Sequence, residues 1–308
     1  MSAHQIYTLD LRFQGSAEGI AAYLVIGPEG PVLVETGPGS TLQALIAELA
    51  RYGYAPEDIR DVLVTHIHLD HAGAAGWWAR RGARVHVHHM GAPHLADPSK
   101  LLASAQRIYG DSMQPLWGEF LSCPPERLHP LHDGDVIEAG GLRFVALDVP
   151  GHARHHIVYQ LDDVAFTGDQ GGIRLSGRKH LRMPTPPPEF HLEEWLASVA
   201  RLRALRFRRL YLTHFGAVED PEAHWSEVAE LLKSGTELIG KAAEAGKDRD
   251  EILRYYTQYE DGRLLADGIN EEGQRLYIDV APMGMSVDGI LRYWKKRSNA
   301  GTGPESSS

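Results

Sequence analysis

The chain has 308 residues, a formal net charge of −10 at pH 7, 43% hydrophobic and 23% charged residues, which suits one large globular domain or a domain with an appendage. The acidic balance argues against non-specific nucleic-acid binding, which rests on Lys and Arg at phosphates. No run of about 18 apolar residues occurs, so no transmembrane helix is expected. The opening MSAHQIYTLDLRF lacks a basic segment followed by an apolar one, so no signal peptide is expected. A single cysteine, Cys123, excludes an internal disulfide and a cysteine-type zinc site, and fits a reducing cytoplasm.

In chain order, IYTLDLRF, AAYLVIG and PVLVETGPG read as strands around Gly/Pro turns. Residues 40–52 predict an amphipathic helix, with Leu42, Leu45, Ile46 and Leu49 at helical spacing. DVLVTH predicts a buried strand, AGAAGWWARRG a helix, ARVHVHH the next strand, and residues 92–120 a helical stretch with loops. PLHDGDVIEAGGLRFVALDVPGH reads as two or three strands, and HHIVYQLDDVAFTGDQ as a hairpin. PTPPPEF is a rigid proline loop, because each ring fixes φ. LEEWLASVARLRAL predicts a helix and FRRLYLTHFG a strand. Residues 1–220 thus read as one domain of two strand-rich halves with flanking helices. Residues 221–297 read as a helical C-terminal extension, and the apolar-poor 298–308 as a disordered tail.

The polar residues that end these strands form the main signal. VLVT runs into His66, His68, Asp70 and His71, FVALDVPG into His152, VAFTG into Asp169, and LYLT into His214. Four strands delivering imidazole or carboxylate at the same end can bring them side by side. Imidazole and carboxylate are ligands of Zn²⁺, Mn²⁺ and Fe²⁺. Five histidines and two aspartates exceed one tetrahedral site and suit two metals sharing a carboxylate.

THIHLDHAG, PGH, FTGDQ and THFG, in this order across residues 6–216, closely resemble the motifs of the metallo-β-lactamase superfamily. The resemblance implies an α/β fold, an αββα sandwich with the metals at one edge of the two sheets. It implies that His66, His68 and His152 hold a first divalent metal, and Asp70, His71 and His214 a second, with Asp169 bridging. Zinc is the expected metal, with manganese or iron as alternatives. The resemblance also implies hydrolysis by a bridging hydroxide, with Asp70 as the catalytic residue that orients it or takes its proton. The usual acidic turn of the second motif is here Glu35-Thr36-Gly37, which implies a supporting acid one carbon longer. The segment after FTGDQ lacks glutathione-loop character, which argues against a hydroxyacylglutathione substrate, and a secreted β-lactamase is not expected without a leader.

Among the remaining residues, His155 and His156 are candidates for touching the ligands from behind. His86 and His88 share one strand face and are expected to contact the first cluster rather than bind a metal of their own. Arg174, Arg178, Lys179, His180 and Arg182 form a basic loop, read as solvated unless it turns toward the site. Tyr109, Trp117, Phe190 and the proline loop are candidate pocket walls. The expected function is a dinuclear metal-dependent hydrolase of a small-molecule thioester, ester or lactone, cytoplasmic, with a homodimer possible, and without nucleic-acid or membrane partners. Alternatives are a phosphodiesterase, marked by a basic loop facing the metals, and a mononuclear iron dioxygenase using His66, His152 and Asp169. A third is a metal-retaining binding or signalling protein with weak hydrolysis.

Overall fold

The computed structural model describes residues 4–175 and 179–301. Strands β1 (Gln5–Asp10), β2 (Ala21–Gly27), β3 (Gly30–Val34), β4 (Asp61–Leu63), β5 (Arg84–His88) and β6 (Leu128–Leu131) form one sheet in sequential order. Strands β7 (Val136–Ala139), β8 (Leu142–Asp148), β9 (Ile157–Leu161), β10 (Val164–Phe166), β11 (Arg209–Leu212) and β12 (Gly216–Val218) form the second, in reversed order. Period-two alternation sorts the side chains. Ala21, Tyr23 and Val25 of β2 meet Phe144 and Ala146 of β8 in the core between the sheets, while Ala22 and Leu24 face outward.

Helices cover both outer faces. α1 (Leu42–Arg51) buries Leu45 and Leu49 against the first sheet. α2 (Leu69–Ala72) lies within the histidine segment and precedes α3 (Ala75–Ala79), which is shorter than the helix expected over residues 72–82. A side chain on Gly73 would meet the backbone at Pro38, and one on Gly76 the backbone at Leu121, so both positions pack against neighbouring backbone too closely for any residue but glycine. α4 (Ala92–Ala96), α5 (Ser99–Tyr109) and α6 (Met113–Trp117) make up the expected helical stretch. α7 (Leu192–Ala204) lays Trp195, Val199 and Leu202 on the second sheet. The result is the αββα sandwich.

The C-terminal part is α8 (Pro221–Glu244), α9 (Arg249–Ala266), α10 (Glu271–Val280) and α11 (Met283–Gly301). Asp220, Asp248 and Asn270 start the first three, each side chain accepting a hydrogen bond from the backbone N–H three residues on. Trp225, Val228, Val287 and Ile290 extend the core outside the second sheet. Helix α11 runs past residue 298, where the sequence reading begins its tail; residues 302–308 lie outside the described residues. Among the described residues, no helix is long and apolar enough to cross a membrane.

Strand direction positions the site. β9 is antiparallel to both β8 and β10, and β11 is parallel to β10, so β8, β10 and β11 end at one edge. His152, Asp169 and His214 follow those three ends, and the β4 end of the facing sheet supplies the 66–71 segment.

Candidate metal centre

All seven side chains expected at the site converge. His66, His68, His152 and Asp169 form one group and Asp70, His71 and His214 a second; within each group the ligand-type atoms all lie within 4.8 Å of one another. In the first, His68 Nδ1 lies 2.8 Å from His66 Nε2 and 3.0 Å from His152 Nε2. In the second, Asp70 Oδ2 lies 3.4 Å from His214 Nε2 and 3.7 Å from His71 Nε2. Asp169 touches both, with Oδ2 3.3 Å from His152 Nε2 and Oδ1 3.3 Å and 3.5 Å from His71 and His214 Nε2.

The far sides of three imidazoles are tied down. His152 Nδ1–H donates to the Pro184 carbonyl at 2.9 Å, His214 Nδ1–H to the Gly19 carbonyl at 3.0 Å, and His71 Nδ1–H to Glu35 Oε1 at 3.0 Å. Each bond selects the tautomer whose Nε2 lone pair points into the site. Glu35 is the hub of this support. Its Oε1 also accepts from Thr65 Oγ1 at 2.5 Å and Thr213 Oγ1 at 3.2 Å, and its Oε2 from the Thr65 N–H at 3.3 Å. Its backbone is left-handed, φ 66°, a conformation unfavourable for a non-glycine residue.

The electrostatics divide the two groups. Burial drives His66 well below its ordinary value and His68 down to about 3, reinforced by neighbouring imidazoles, so both stay neutral. Burial also lowers His71, but Asp169, Asp70 and Glu35 outweigh it and raise the group well above the usual range. Burial raises Asp70 and Asp169, yet the facing imidazoles win: Asp70 sits at about 2 and Asp169 well below its ordinary value.

This donor set fits divalent cations. His71 Nε2 and Asp169 Oδ1 are buried without a hydrogen-bond partner and point at each other's group. Three carboxylates, Glu35, Asp70 and Asp169, surround His71, and no Lys or Arg lines the adjoining cavity among the described residues. Buried carboxylates without a cation are costly, and borderline metals are the cations that imidazole and carboxylate hold together.

The cavity, about 200 Å³, opens above the two groups. Asp70, at 21% side-chain exposure, reaches it more fully than Asp169 at 5%. Its walls are Phe13, Leu101, Tyr109 and Trp117 on one side, and Pro184, Pro186, Pro187 and Pro188 with Val280, Pro282 and Met285 on the other. Tyr109, Trp117 and the proline loop therefore line it, and helices α10 and α11 roof it. Phe190 does not line it; it packs against Trp195 and Tyr293 instead.

Other expected contacts resolve differently. His156 is buried, its Nε2 accepts from the Asp169 N–H at 3.2 Å, and its ring stacks on His66. Gly168 leaves it that space, because a Cβ there would collide with His156 Nε2 and Thr65 Oγ1. His155 pairs with Glu189 at 3.2 Å beside His66 and His68. His86 and His88 do not contact the cluster: His86 bonds Asp61 and His129, and His88 pairs with Asp148. Their strand end lies on the outer part of the first sheet, one strand beyond β4. Three described members of the basic loop, Arg174, His180 and Arg182, are engaged away from the cavity. Arg174 pairs with Glu227; Arg182 is buried and bonds Glu260, the Tyr277 carbonyl and the Ala281 carbonyl; His180 bonds Asp267. Arg178 lies outside the described residues. Sequence reasoning missed the anchoring carbonyls of Gly19 and Pro184 and the hydroxyls of Thr65 and Thr213. Only the two threonines, next to ligand motifs, carried a signal.

A sequence model described as the metallo-beta-lactamase superfamily matches residues 15–214. A metallo-beta-lactamase fold-containing protein of Sulfurisphaera tokodaii is 26% identical over 236 residues, 75% of this chain and 85% of that protein. An acyl-coenzyme A thioesterase of Bos taurus is 28% identical over 186 residues, 53% of this chain and 62% of the thioesterase, so under two thirds of that relative is spanned. In structure, a metallo-beta-lactamase family protein from Thermus thermophilus superposes with a TM-score of 0.68 at 23% identity, covering 95% of this chain and 94% of that one, which shows the shared fold.

Proposed function

The chain belongs to the metallo-beta-lactamase superfamily, and from that premise we propose that it is a metal-dependent hydrolase acting on the carbonyl of a small-molecule thioester, ester or lactone. The observation that carries this reading is Asp169, whose two oxygens face two separate donor groups at the floor of one cavity. We assign His66, His68 and His152 to a first divalent ion, Asp70, His71 and His214 to a second, and Asp169 to both, with zinc the best match to the donors. Ions held there supply Lewis acidity and an activated water.

The chain's own residues do the rest. Glu35, Pro184 and Gly19 hold His71, His152 and His214 in the tautomers a metal needs. Asp70, the more exposed carboxylate, orients the attacking water or takes its proton. The apolar walls admit the substrate and exclude bulk water, which strengthens every charge interaction inside. The inward path of Arg174 and Arg182 to helices α8–α11 weakens the phosphodiesterase alternative, because these cations are already paired.

The test is elemental analysis of protein purified without added metal, followed by a screen of thioesters, lactones and phosphodiesters. About two zinc or manganese ions per chain with carbonyl hydrolysis is expected. One iron per chain with oxygen uptake would replace this reading. Asp169→Ala is expected to lose metal and turnover together; retention of both ions would remove the bridging role.

A further inference from the structure

Two neighbouring concavities have opposite chemistry. The metal-side cavity is apolar, and its ionisable lining outside the seven clustered side chains is Tyr109 and Asp279, with no Lys or Arg among the described residues. An acyl group carrying a carboxylate would meet Asp70, Asp169 and Asp279 there. On the far side of the proline wall lies a second groove of about 670 Å³, lined by Arg154, Arg292, Lys296 and Arg297 against Glu189 and Glu193. Pro188 lines both.

Four cations against two carboxylates leaves a net +2 in that groove, on a chain of net charge −10. The carboxylates are already engaged. Glu189 accepts from the Arg154 backbone N–H and pairs with His155, each at 3.2 Å, and Glu193 is held by Arg297 and by Tyr293 Oη. Among the described residues, no carboxylate lies within ion-pair reach of the Arg154, Arg292 or Lys296 side chains. Lys296 Nζ donates to the Pro188 carbonyl at 3.2 Å, which places its charge on the shared wall. Exposed cations gathered in a concave surface are a recognition surface for phosphate.

Resting on the hydrolase reading above, we propose that the substrate is an acyl thioester with a neutral, apolar acyl group in the cavity and a small-molecule thiol leaving group whose phosphates lie on the Arg154–Arg292–Lys296 groove. Water oxygen bonds to the carbonyl carbon, the C–S bond breaks, and the sulfur leaves as the thiol with one of the water's protons. Carboxylic acid and phosphorylated thiol are the products.

The test compares one medium-chain acyl group on coenzyme A and on uncharged N-acetylcysteamine, with calorimetric titration of free coenzyme A into the same protein. KM for the coenzyme A ester is expected about tenfold or more below that for the neutral thioester, and to rise with salt. The combined Arg154→Ala, Arg292→Ala, Lys296→Ala variant is expected to erase about tenfold of that KM ratio and of coenzyme A affinity, since each exposed contact contributes modestly. The single Arg292→Glu variant should act in the same direction. Equal KM values with no variant-sensitive coenzyme A binding would overturn the groove assignment. Coenzyme A binding that the variants weaken, without turnover of either thioester, would uphold the groove and overturn the hydrolase reading.

Discussion

Replacing Glu35 by Gln keeps the shape of the side chain and removes its charge. The cost follows from what the carboxylate holds. Oε1 accepts from His71 Nδ1, Thr65 Oγ1 and Thr213 Oγ1, and Oε2 from the Thr65 N–H. An amide oxygen can stand in for Oε1, but the amide NH₂ then faces the Thr65 N–H, donor against donor. One buried N–H is left unsatisfied, which costs about 1–3 kcal/mol of stability. His71 also loses the anionic partner that makes its Nε2 a strong donor. Such supporting partners are typically worth about 10–100-fold in metal affinity, or about 1.4–2.8 kcal/mol. Competition against a chelator would show the ion on the His71 side weakened by that factor, while calorimetry shows a lower unfolding midpoint. Wild-type affinity for both ions in a folded Glu35→Gln protein would refute the support role of Glu35.

Three more outcomes are expected. Burial and nearby Arg174 hold His224 down at about 4, against an ordinary 6.5. The unfolded chain therefore takes up a proton that the folded one refuses, and roughly 3 kcal/mol of stability, at about 1.4 kcal/mol per pH unit, is lost as pH falls from 6.5 to 4. His224→Gln, which can still donate to the Gly171 carbonyl, should flatten denaturant midpoints across that window; an unchanged slope would refute it. Arg182→Met leaves the buried Glu260, at 2% exposure, with Arg263 at 2.9 Å but without its second guanidinium, and removes the side-chain donor to the Ala281 carbonyl beside the cavity roof. Because Arg263 still pairs Glu260, a stability loss of about 1.5–3 kcal/mol is expected in urea with metal content unchanged, and a loss under about 0.5 kcal/mol would show the pair to be dispensable. Met285→Trp fills the cavity wall and should raise KM for long acyl groups more than for acetyl esters; equal effects on both would mean that acyl groups bind elsewhere.

Much of this molecule is set by local chemistry. Apolar runs of period two predict the strands, and the amphipathic spacing of Leu42, Leu45 and Leu49 predicts α1, because side-chain direction repeats with backbone geometry. The seven side chains were legible because they follow the ends of four strands, β4, β8, β10 and β11, whose ends meet at one edge of the two facing sheets. Their support was not legible. The carbonyls of Gly19 and Pro184 have no side-chain signature, and they reach His214 and His152 across 195 and 32 residues. His86 and His88 carry the same letters as the ligand motif, yet their strand lies beyond β4 and pairs them with Asp61 and Asp148. The basic loop reads as solvated surface because its acidic partners, Glu227, Glu260 and Asp267, sit about 50–90 residues later on helices whose docking only long-range packing decides. Local residue chemistry thus determined which groups could bind metal and where strands would end. Tertiary packing alone decided which histidines meet, which cations are consumed within the fold, and which are left facing a groove.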